Sequence, residues 1–367
     1  MKYDYLIVGA GIFGSVFARE LTDAGSKCLV IDKRSHIGGN CYTKNVEGIN
    51  VHKYGAHIFH TNNKRVWDYI NKWAVFNSYR HHLKVKSRDE VYSFPINMMT
   101  MHQMWGVSSP AEGKERLDKV RIPIENPSNL EEWVLSQVGY EIYDKFIKGY
   151  TKKQWGKDPS LLPSSIIKRI PIRLTYNDCY FNDSYQGIPI GGYTQIFTRL
   201  LKGIDTELGV DYLSDRDYLD SIANKVIYTG ALDEFFDYDS GVLGWRSLEF
   251  EEEVHEGDYQ GVSVMNYAEE SVPYTRIIEH KHFEFGQQRH TVITKEYPSE
   301  WSVGKNKIYP INDEKNNALY KEYKSRMDGR KYVLGGRLAD YNYYDMHQAI
   351  GSALAKSNGE INNETCY

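Results

Sequence analysis

Three glycines close to the N-terminus have the spacing of a turn that holds a dinucleotide. Gly9, Gly11 and Gly14 make a GxGxxG pattern. The first glycine permits a tight turn, the second lets backbone N–H groups approach a pyrophosphate, and the third lets a helix pack closely on a strand. Asp32 follows at the distance from which a carboxylate accepts hydrogen bonds from a ribose. These residues predict a nucleotide-binding cradle.

The segments around the glycines predict the elements that position them. Residues 5–8 are apolar and rich in β-branched side chains, which is typical of a buried parallel strand. Residues 15–24 contain helix formers before Gly25, and residues 28–31 form a second apolar run that ends at Asp32. Because strand, glycine turn, helix, strand and acid occur in this order, phosphates would face the N-terminus of the helix.

A second pair of glycines favours FAD over NAD as the ligand. Gly38 and Gly39 follow the second strand, and this stretch resembles the FAD signature of the glutathione-reductase and amine-oxidase superfamily. Near the far end, residues 332–334 predict a strand that runs into Gly336 and Arg337. We therefore expect both ends of the chain to meet around one FAD.

The chain between these ends predicts an α/β protein with a discontinuous Rossmann-like FAD-binding domain, an inserted helical bundle and an antiparallel β-sheet domain. Helical periodicity covers residues 98–162, with a capping box at Ser128 and a helix end at Gly139. Residues 247–297 alternate as strands, one of them over 274–285. The predicted domains are an FAD-binding domain of residues 1–78, 187–238 and 313–367, a helical insertion of residues 98–165, and a substrate-binding sheet domain of residues 79–97, 166–186 and 239–312.

Composition excludes several classes of function. The 367 residues carry a formal net charge of -4 without long blocks of one sign, so neither nucleic acid nor a membrane surface is an expected partner. No apolar run reaches the roughly eighteen residues of a membrane span, and the first strand begins too early for a signal peptide. The four cysteines contain no CxxC pair, which fits reduced thiols. We expect a cytoplasmic enzyme.

Two arginines among apolar and aromatic residues are candidates for binding a diphosphate. Arg169 lies in a segment bounded by Pro163 and Pro171, which predicts a hinged lid. Arg276 begins a strand of the predicted sheet. Two guanidinium groups offer forked donors and a matching charge, although a single arginine is most often a surface residue.

Tyrosine is unusually abundant, with 30 residues. Phenol groups suit a cleft for a sugar nucleotide, because the ring stacks on a base while the hydroxyl group bonds to phosphate or sugar. The tyrosines that lie outside periodic core faces, beside glycine, proline or acidic residues, are Tyr150, Tyr180, Tyr309, Tyr343 and Tyr344.

His57 and His60 are the candidates for a metal site. On a single strand their spacing points them to opposite faces, and no further ligands cluster near them in the sequence. No metal is therefore expected. For each histidine the alternative interpretation is a core residue held by backbone groups.

Long motifs spread over the whole chain resemble those of the UDP-galactopyranose mutase family. The resemblance implies the predicted fold, a bound FAD and a UDP-sugar substrate. It rests on residues 9–14, 37–40, 54–61, 149–151, 154–156, 167–171, 186–189, 191–193, 275–280, 335–338 and 343–346.

The same resemblance implies roles for individual residues. Arg169 as a mobile arginine and Arg276 as a fixed arginine would bind the substrate diphosphate, and these two with His60 are the implied catalytic residues. The chain departs from the family pattern at residues 79–83, where His81 stands at the place of a phosphate contact. Further substrate contacts are implied for Phe146, Tyr150, Thr151, Trp155, Tyr180, Arg246, Tyr309 and Tyr343. FAD contacts are implied for Gly9, Gly11, Ile12, Phe13, Gly14, Asp32, Lys33, Arg34, Gly39, Asn40, His57, Ile58, Arg337, Tyr344, Asp345 and Met346.

The family reaction interconverts UDP-galactopyranose and UDP-galactofuranose without net redox change, yet it requires reduced FAD. In the implied mechanism a nitrogen of the reduced flavin attacks the anomeric carbon, UDP leaves, the sugar ring opens, and another hydroxyl group closes it. The resemblance further implies an external electron donor, a homodimer, and a role in cell-surface polysaccharide synthesis such as that of lipopolysaccharide O-antigen or capsule.

Three alternatives remain open from the sequence. An FAD-dependent oxidoreductase of the amine-oxidase type shares the N-terminal signature. The same mutase chemistry on UDP-N-acetylgalactosamine would differ in a few pocket contacts. A regulator of the Rab GDP-dissociation-inhibitor type has the same dinucleotide fold without a flavin. There is no second GxGxxG pattern for a separate NAD(P)H domain.

Overall fold

The computed structural model describes residues 2–168 and 170–364, without the side chains of residues 363 and 364. Its strands are β1 Tyr3–Val8, β2 Cys28–Asp32, β3 Thr43–Val46, β4 Ile49–His52, β5 Phe59–Thr61, β6 Leu83–Ser87, β7 Glu90–Phe94, β8 Tyr185–Gly187, β9 Asp205–Leu208, β10 Ala223–Tyr228, β11 Trp245–Glu256, β12 Val264–Tyr267, β13 Arg276–Glu279, β14 His290–Glu300, β15 Tyr309–Pro310 and β16 Tyr332–Leu334. Its α-helices are α1 Ile12–Asp23, α2 Lys64–Ile70, α3 Met98–Trp105, α4 Pro110–Val120, α5 Leu130–Ile142, α6 Gly149–Trp155, α7 Thr194–Leu200, α8 Arg216–Ser221, α9 Leu232–Phe235, α10 Glu314–Ser325, α11 Gly336–Ala339 and α12 Met346–Glu364.

A sheet of five parallel strands, in the order β16-β10-β1-β2-β9, forms the nucleotide-binding part of the fold. Apolar side chains of α1, α7 and α12 cover one face, with Val16, Phe197 and Ile350 fully or almost fully buried. The turn from β1 to α1 lies at the carboxyl end of the central strand, which is where open α/β sheets bind ligands. The predicted α/β class with a Rossmann-like domain is confirmed.

The second sheet has seven strands in the order β15-β11-β14-β13-β12-β6-β7. All neighbours are antiparallel except β12 and β6, which pair in parallel. Helices α3 to α6 pack beneath it, and Met98, Leu130 and Phe146 share one core with Val85 and Ile278 of the sheet. The predicted antiparallel sheet is thus confirmed, with one exception. Strands β12 and β6 pair in parallel, and they come from distant stretches of the chain.

Three local expectations need correction. The N-cap of α5 is Asn129, whose side chain accepts from the Glu132 N–H at 2.9 Å, in place of Ser128. Gly139 does interrupt the helix with φ 74, but a π-helical segment, Tyr143–Lys148, carries the chain onward into α6. The strand expected over residues 274–285 covers only β13, because a 3-10 segment turns the chain away directly after it.

No helix within the described ranges combines the length and the apolar character needed to cross a bilayer. The domain boundaries given above stay a prediction. The segments assigned to the sheet domain do meet in one sheet, since β6 and β7 come from the first of them and β11 to β15 from the last.

Candidate active site and cofactor cradle

A cavity of about 1110 Å³ extends from the glycine turn after β1 to the second sheet. One end is lined by the turn itself, by the loop after β2 and by residues near α11. The other end is lined by α6, β13 and the segment before β8. The arrangement offers one continuous space for a dinucleotide and a second ligand.

Two glycines at the cradle, Gly14 in the turn and Gly39 beside it, leave little room for side chains. A Cβ atom on Gly14 would lie 2.0 Å from the Gly9 carbonyl oxygen, and a Cβ atom on Gly39 would lie 3.0 Å from the Gly11 Cα. Asp32 accepts hydrogen bonds at 2.8 Å from the backbone N–H groups of Ala10 and of residue 34, which hold the turn closed. The backbone is therefore exposed to the cavity at the place that the GxGxxG pattern assigns to a pyrophosphate.

Charged and polar groups around the turn fit a dinucleotide. Arg337 is half-buried, and within the described part of the chain no carboxylate lies in ion-pair distance of its guanidinium group. Arg34 lies over the Tyr54 ring at 4.4 Å and donates to Asn40 Oδ1 at 3.0 Å. A phosphate would supply the missing counter-charge for Arg337. The predicted FAD contacts that line the cavity are Gly9, Gly11, Ile12, Phe13, Gly14, Asp32, Lys33, Arg34, Gly39, Asn40, His57, Ile58, Arg337, Tyr344, Asp345 and Met346.

Arg276 provides a half-buried positive charge at the other end of the cavity. Its Nη2 donates to the Tyr150 hydroxyl group at 2.5 Å, and its Nε lies 3.3 Å from Glu296 Oε1. Burial opposes the charge, but Glu296 and the neighbouring tyrosines hold the pKa of Arg276 well above its usual value. Glu296 is 2% exposed and Arg276 is 26% exposed, so the carboxylate is shielded from bulk water while the guanidinium group stays partly open to the cavity.

Tyrosine hydroxyl groups surround this ion pair. Burial raises the pKa values of Tyr150 and Tyr309, so both phenols keep their protons at neutral pH. The rings of Tyr309 and Tyr343 stack with centroids 5.6 Å apart. The predicted substrate contacts that line the cavity are Phe146, Tyr150, Thr151, Trp155, Tyr180, Arg276, Tyr309, Tyr343 and His81.

Arg246 is placed differently from the sequence prediction. The residue is buried and does not line the cavity; its Nε donates to the Gln154 carbonyl at 3.0 Å and its Nη2 to the Lys153 carbonyl at 3.3 Å. It therefore caps the C-terminal end of α6, where a cation is favourable because the last carbonyl groups lack partners. We expected Arg246 to contact the substrate, but it supports the helix that carries Tyr150.

Arg169 lies outside the described residues, so its predicted role is not addressed by the structure. Its neighbours Ile166, Ile167, Ile170 and Pro171 line the cavity.

Three histidines on the cavity wall have different environments. His57 Nδ1 lies 2.7 Å from the Gly55 carbonyl oxygen, which can only accept, so Nδ1 carries the proton. Burial lowers the pKa of His57 to about 4 and that of His81 to about 3. His60 Nδ1 lies 2.5 Å from Asp183 Oδ2.

The expectation that no further ligands cluster near His60 is wrong. Asp345 and His347 present ligand atoms that lie, with one from His60, within 4.8 Å of one another. The fold brings them together because the N-terminal end of α12 reaches β5. His57 and His60 also do not share a strand, because β5 begins at Phe59.

Several residues of the site escape any pattern in the sequence. Their importance comes from the residues that they contact, and nothing in the surrounding sequence marks them. They are Glu296 beside Arg276, and Asp183 and His347 beside His60. A weak signal existed for Glu296, an acidic residue within an apolar strand run.

Comparison with known proteins identifies the family. The profile of the family described as UDP-galactopyranose mutase matches residues 145–343, and the profile of an NAD(P)-binding Rossmann-like domain matches residues 7–73. A probable UDP-galactopyranose mutase from Klebsiella pneumoniae is 42% identical over 361 residues, which cover 95% of this chain and 92% of the relative. The chain belongs to the UDP-galactopyranose mutase family. A dTDP-fucopyranose mutase from Escherichia coli is similar as well, at 38% identity over 95% of this chain and 96% of its own.

Solved structures agree on the fold of this family member. A crystal structure of reduced UDP-galactopyranose mutase matches with a TM-score of 0.73 and 15% identity, covering 99% of this chain and 94% of the other. Putrescine oxidase matches with a TM-score of 0.60 and 14% identity over 98% of both chains. The protein is therefore a mutase-family enzyme, and its family and its dinucleotide cradle identify FAD as the cofactor.

Proposed function

We propose that the protein interconverts the pyranose and furanose forms of a hexose attached to a nucleoside diphosphate, with UDP-galactose as the substrate. The observation that carries this proposal is the half-buried Arg276 charge, which faces the same cavity as the dinucleotide cradle. Charge-assisted hydrogen bonds to a diphosphate are worth roughly 1.5–3 kcal/mol each. The nucleotide would be held at Arg276 while its sugar reaches toward the cofactor.

The hydroxyl groups around Arg276 would complete the diphosphate site. Tyr150 accepts a hydrogen bond from Arg276 and keeps its own proton, which is free to be donated to a phosphate oxygen. Tyr309 and Tyr343 would donate from the opposite side, and Arg169 would add a second positive charge from the segment after Pro163. Groups that already face the developing charge stabilise the departing UDP without reorganisation.

Reduced FAD, when bound, would supply a nucleophilic nitrogen for the anomeric carbon and leave the protein without need of a nucleophilic side chain. The residues of the chain would orient the sugar, exclude water and retain UDP until the ring closes. Retention matters because the bound nucleotide recombines with the sugar far faster than a nucleotide from solution. An external electron donor would keep the cofactor reduced.

A second candidate substrate is dTDP-fucopyranose. The relative from Escherichia coli acts, by its name, on dTDP-fucopyranose, which presents the same diphosphate and the same pyranose ring oxygen. UDP-N-acetylgalactosamine remains the further alternative. An oxidase of the amine-oxidase type is not favoured, since the mutase family profile covers residues 145–343.

The test is conversion by the FAD-loaded enzyme under nitrogen after reduction with dithionite. UDP-galactofuranose, UDP-N-acetylgalactosamine and dTDP-fucopyranose are incubated separately, and ring forms are separated by chromatography. We expect UDP-galactopyranose from the first, no product without dithionite, and a flavin-linked hexose after borohydride trapping. Absence of interconversion with every sugar nucleotide would refute the proposal, and conversion of dTDP-fucopyranose alone would move it to the second substrate.

We also propose a cellular role for the product and an oligomeric state for the enzyme. The furanose product would serve cell-surface polysaccharide synthesis from the cytoplasm, and the enzyme would act as a homodimer built from the predicted domains. Light scattering during gel filtration measures the assembly, and a monomeric mass would refute the dimer.

A further inference from the structure

His60 and Asp183 form a closely held pair on the wall of the cavity. The Nδ1–Oδ2 distance is 2.5 Å, and the side chains are 11% and 21% exposed. Because a carboxylate only accepts, His60 Nδ1 carries a proton and Nε2 is the nitrogen left for exchange. Within residues 2–168 and 170–364 no hydrogen-bond partner lies on that Nε2. Asn62 donates to the second Asp183 oxygen at 2.5 Å and orients the carboxylate.

The imidazole ring has one orientation because it is packed on two sides. It stacks on Phe181 with centroids 3.7 Å apart and an interplanar angle of 12°, while His347 lies edge-on at 5.2 Å. Gln186, which pairs with His60 across β5 and β8, donates to the Asp183 carbonyl oxygen at 2.7 Å. A group held in this way matches the requirement that a proton carrier be positioned before the reaction.

Ring contraction itself requires a proton carrier. When a pyranose becomes a furanose, the bond from the anomeric carbon to O5 breaks and its electron pair leaves with O5, which must gain a proton. When the bond from O4 to the anomeric carbon forms, the O4 hydroxyl group must lose one. Because one proton is gained and one is lost, a single acid–base group can serve both steps.

We propose that His60, positioned by Asp183, carries this proton. The inference rests on the proposed function. In the pyranose-to-furanose direction, His60 as imidazolium gives its Nε2 proton to O5 as the ring opens. Neutral His60 then takes the proton of the O4 hydroxyl group as O4 bonds to the anomeric carbon, and the imidazolium is restored. The Asp183 carboxylate stabilises the imidazolium, as an aspartate does in catalytic triads.

Other titratable groups on this wall are less suitable. Burial lowers the pKa values of His57 and His81 to about 4 and about 3, so neither is an imidazolium that could donate a proton near neutral pH. His81 Nδ1 is also engaged by the Tyr79 hydroxyl group at 3.1 Å. The groups that face His60 are Asp183, Asp345, His347 and His81.

Positional isotope exchange separates proton transfer from the cleavage of the sugar–nucleotide bond. UDP-galactose labelled with oxygen-18 in the bond to the anomeric carbon scrambles the label whenever UDP leaves and returns, with or without ring contraction. For His60→Gln we expect conversion to fall by about 100-fold or more, while scrambling stays within about twofold of the wild type. Flavin absorbance checks that the variant retains FAD.

Asp183→Asn provides the second variant. Asn62 would keep the carbonyl oxygen of the new amide on its own side, so the amide group would donate to His60 Nδ1 and force the proton onto Nε2. We expect conversion to fall while scrambling persists, and the acid–base limbs of the pH–rate profile to shift. His102→Asn, which changes an exposed histidine of α3 away from the cavity, should retain conversion.

The alternatives give distinct results. Equal loss of scrambling and conversion in His60→Gln would assign His60 to substrate positioning and overturn the proposal, as would unchanged conversion. If the reduced wild-type enzyme shows neither scrambling nor conversion, the proposed function fails and this inference fails with it.

Discussion

Arg276 keeps a charge in a half-buried position because the buried Glu296 lies beside its guanidinium group and Tyr150 accepts one of its hydrogen bonds. A buried ion pair of this kind adds little net stability, yet loss of one partner leaves the other charge unpaired. At the scale of residues, function and stability are therefore coupled, and single substitutions need a matched double variant.

For Arg276→Ala we expect kcat/KM to fall by about 100-fold or more with FAD still bound, because the variant loses a charge that contacts the departing diphosphate. The same result is expected for Arg169→Ala. Arg276→Ala should also lower the free energy of unfolding by about 3–5 kcal/mol, measured in urea. The double variant Arg276→Ala/Glu296→Gln should regain stability but not activity, and normal turnover in the single variant would contradict the assigned role.

Gly14→Ala tests the glycine turn. The new Cβ atom would lie 2.0 Å from the Gly9 carbonyl oxygen, so helix α1 cannot keep its approach to β1. We expect purified protein without the flavin absorbance band. Gly351→Ala in α12 is the control, because its Cβ atom would meet only Val66 Cγ2 at 3.9 Å, and it should keep full FAD content. Equal FAD content in both variants would argue against the close packing.

At the scale of elements, helix α6 is held in place from two sides. Arg246 binds the carbonyl groups at its C-terminal end. Lys153 donates from its Nζ to the carbonyls of Tyr267, Val272 and Tyr274 at 2.8–2.9 Å. Because Tyr150, Thr151 and Trp155 face the cavity from this helix, these two cations determine where the predicted substrate contacts lie.

Lys153→Met should raise KM by roughly tenfold with little change in FAD content, because three carbonyl groups lose their donor and α6 is less firmly docked. Lys152→Met is the matched control: Lys152 is 47% exposed and pairs with Glu270 at the surface, where an ion pair contributes at most about 1 kcal/mol. Steady-state kinetics on both variants makes the comparison, and equal KM values would contradict the anchoring role.

The turn between β11 and β12 depends on a buried carboxylate. Glu279 accepts hydrogen bonds from the backbone N–H groups of Tyr259, Gln260 and Gly261 and from the Thr291 hydroxyl group. Burial raises the pKa of Glu279, but these donors and His282 together lower it to about 2.

Because the folded-state pKa lies below the ordinary value of 4.5, the stability from Glu279 is present above pH 4.5 and is lost as the pH falls toward 2. Its size is about 3 kcal/mol. Urea unfolding at a series of pH values should show Glu279→Gln to be less stable at pH 7 and less sensitive to acid. Glu256→Gln, at a side chain that is 69% exposed, should follow the wild type, and parallel curves for all three proteins would contradict this role.

At the scale of the whole molecule, the cradle joins distant parts of the chain. Arg337 and Asp345 reach it from the C-terminal region, Gly9 to Gly14 from the N-terminus, and α12 packs against α1. A ligand that binds such a site in the folded state only must stabilise the whole arrangement.

We therefore expect FAD to raise the melting temperature of protein from which it was removed, in a single transition and in proportion to the logarithm of its concentration. At 100 times Kd the stabilisation is about 2.7 kcal/mol. Calorimetry on the deflavinated and refilled protein makes the measurement. UDP alone should add a further increase in the wild type but not in Arg276→Ala. A melting temperature that does not depend on FAD would contradict the shared cradle.

The sequence by itself determined the dinucleotide cradle, because Gly9, Gly14 and Asp32 act through strand, turn and helix rules that operate over about thirty residues. It also indicated the family, through motifs long enough to be specific. Periodicity located the helical insertion and the second sheet, although the cap at Asn129 and the short β13 differ from the expected bounds.

Only the tertiary structure decided which side chains act together. Glu296 meets Arg276 through the pairing of β13 with β14, and Asp183 meets His60 beside the pairing of β5 with β8. Arg246 supports α6 instead of lining the cavity for the same reason. These contacts depend on the register of strands that lie far apart in the chain, and no local pattern of residues encodes that register.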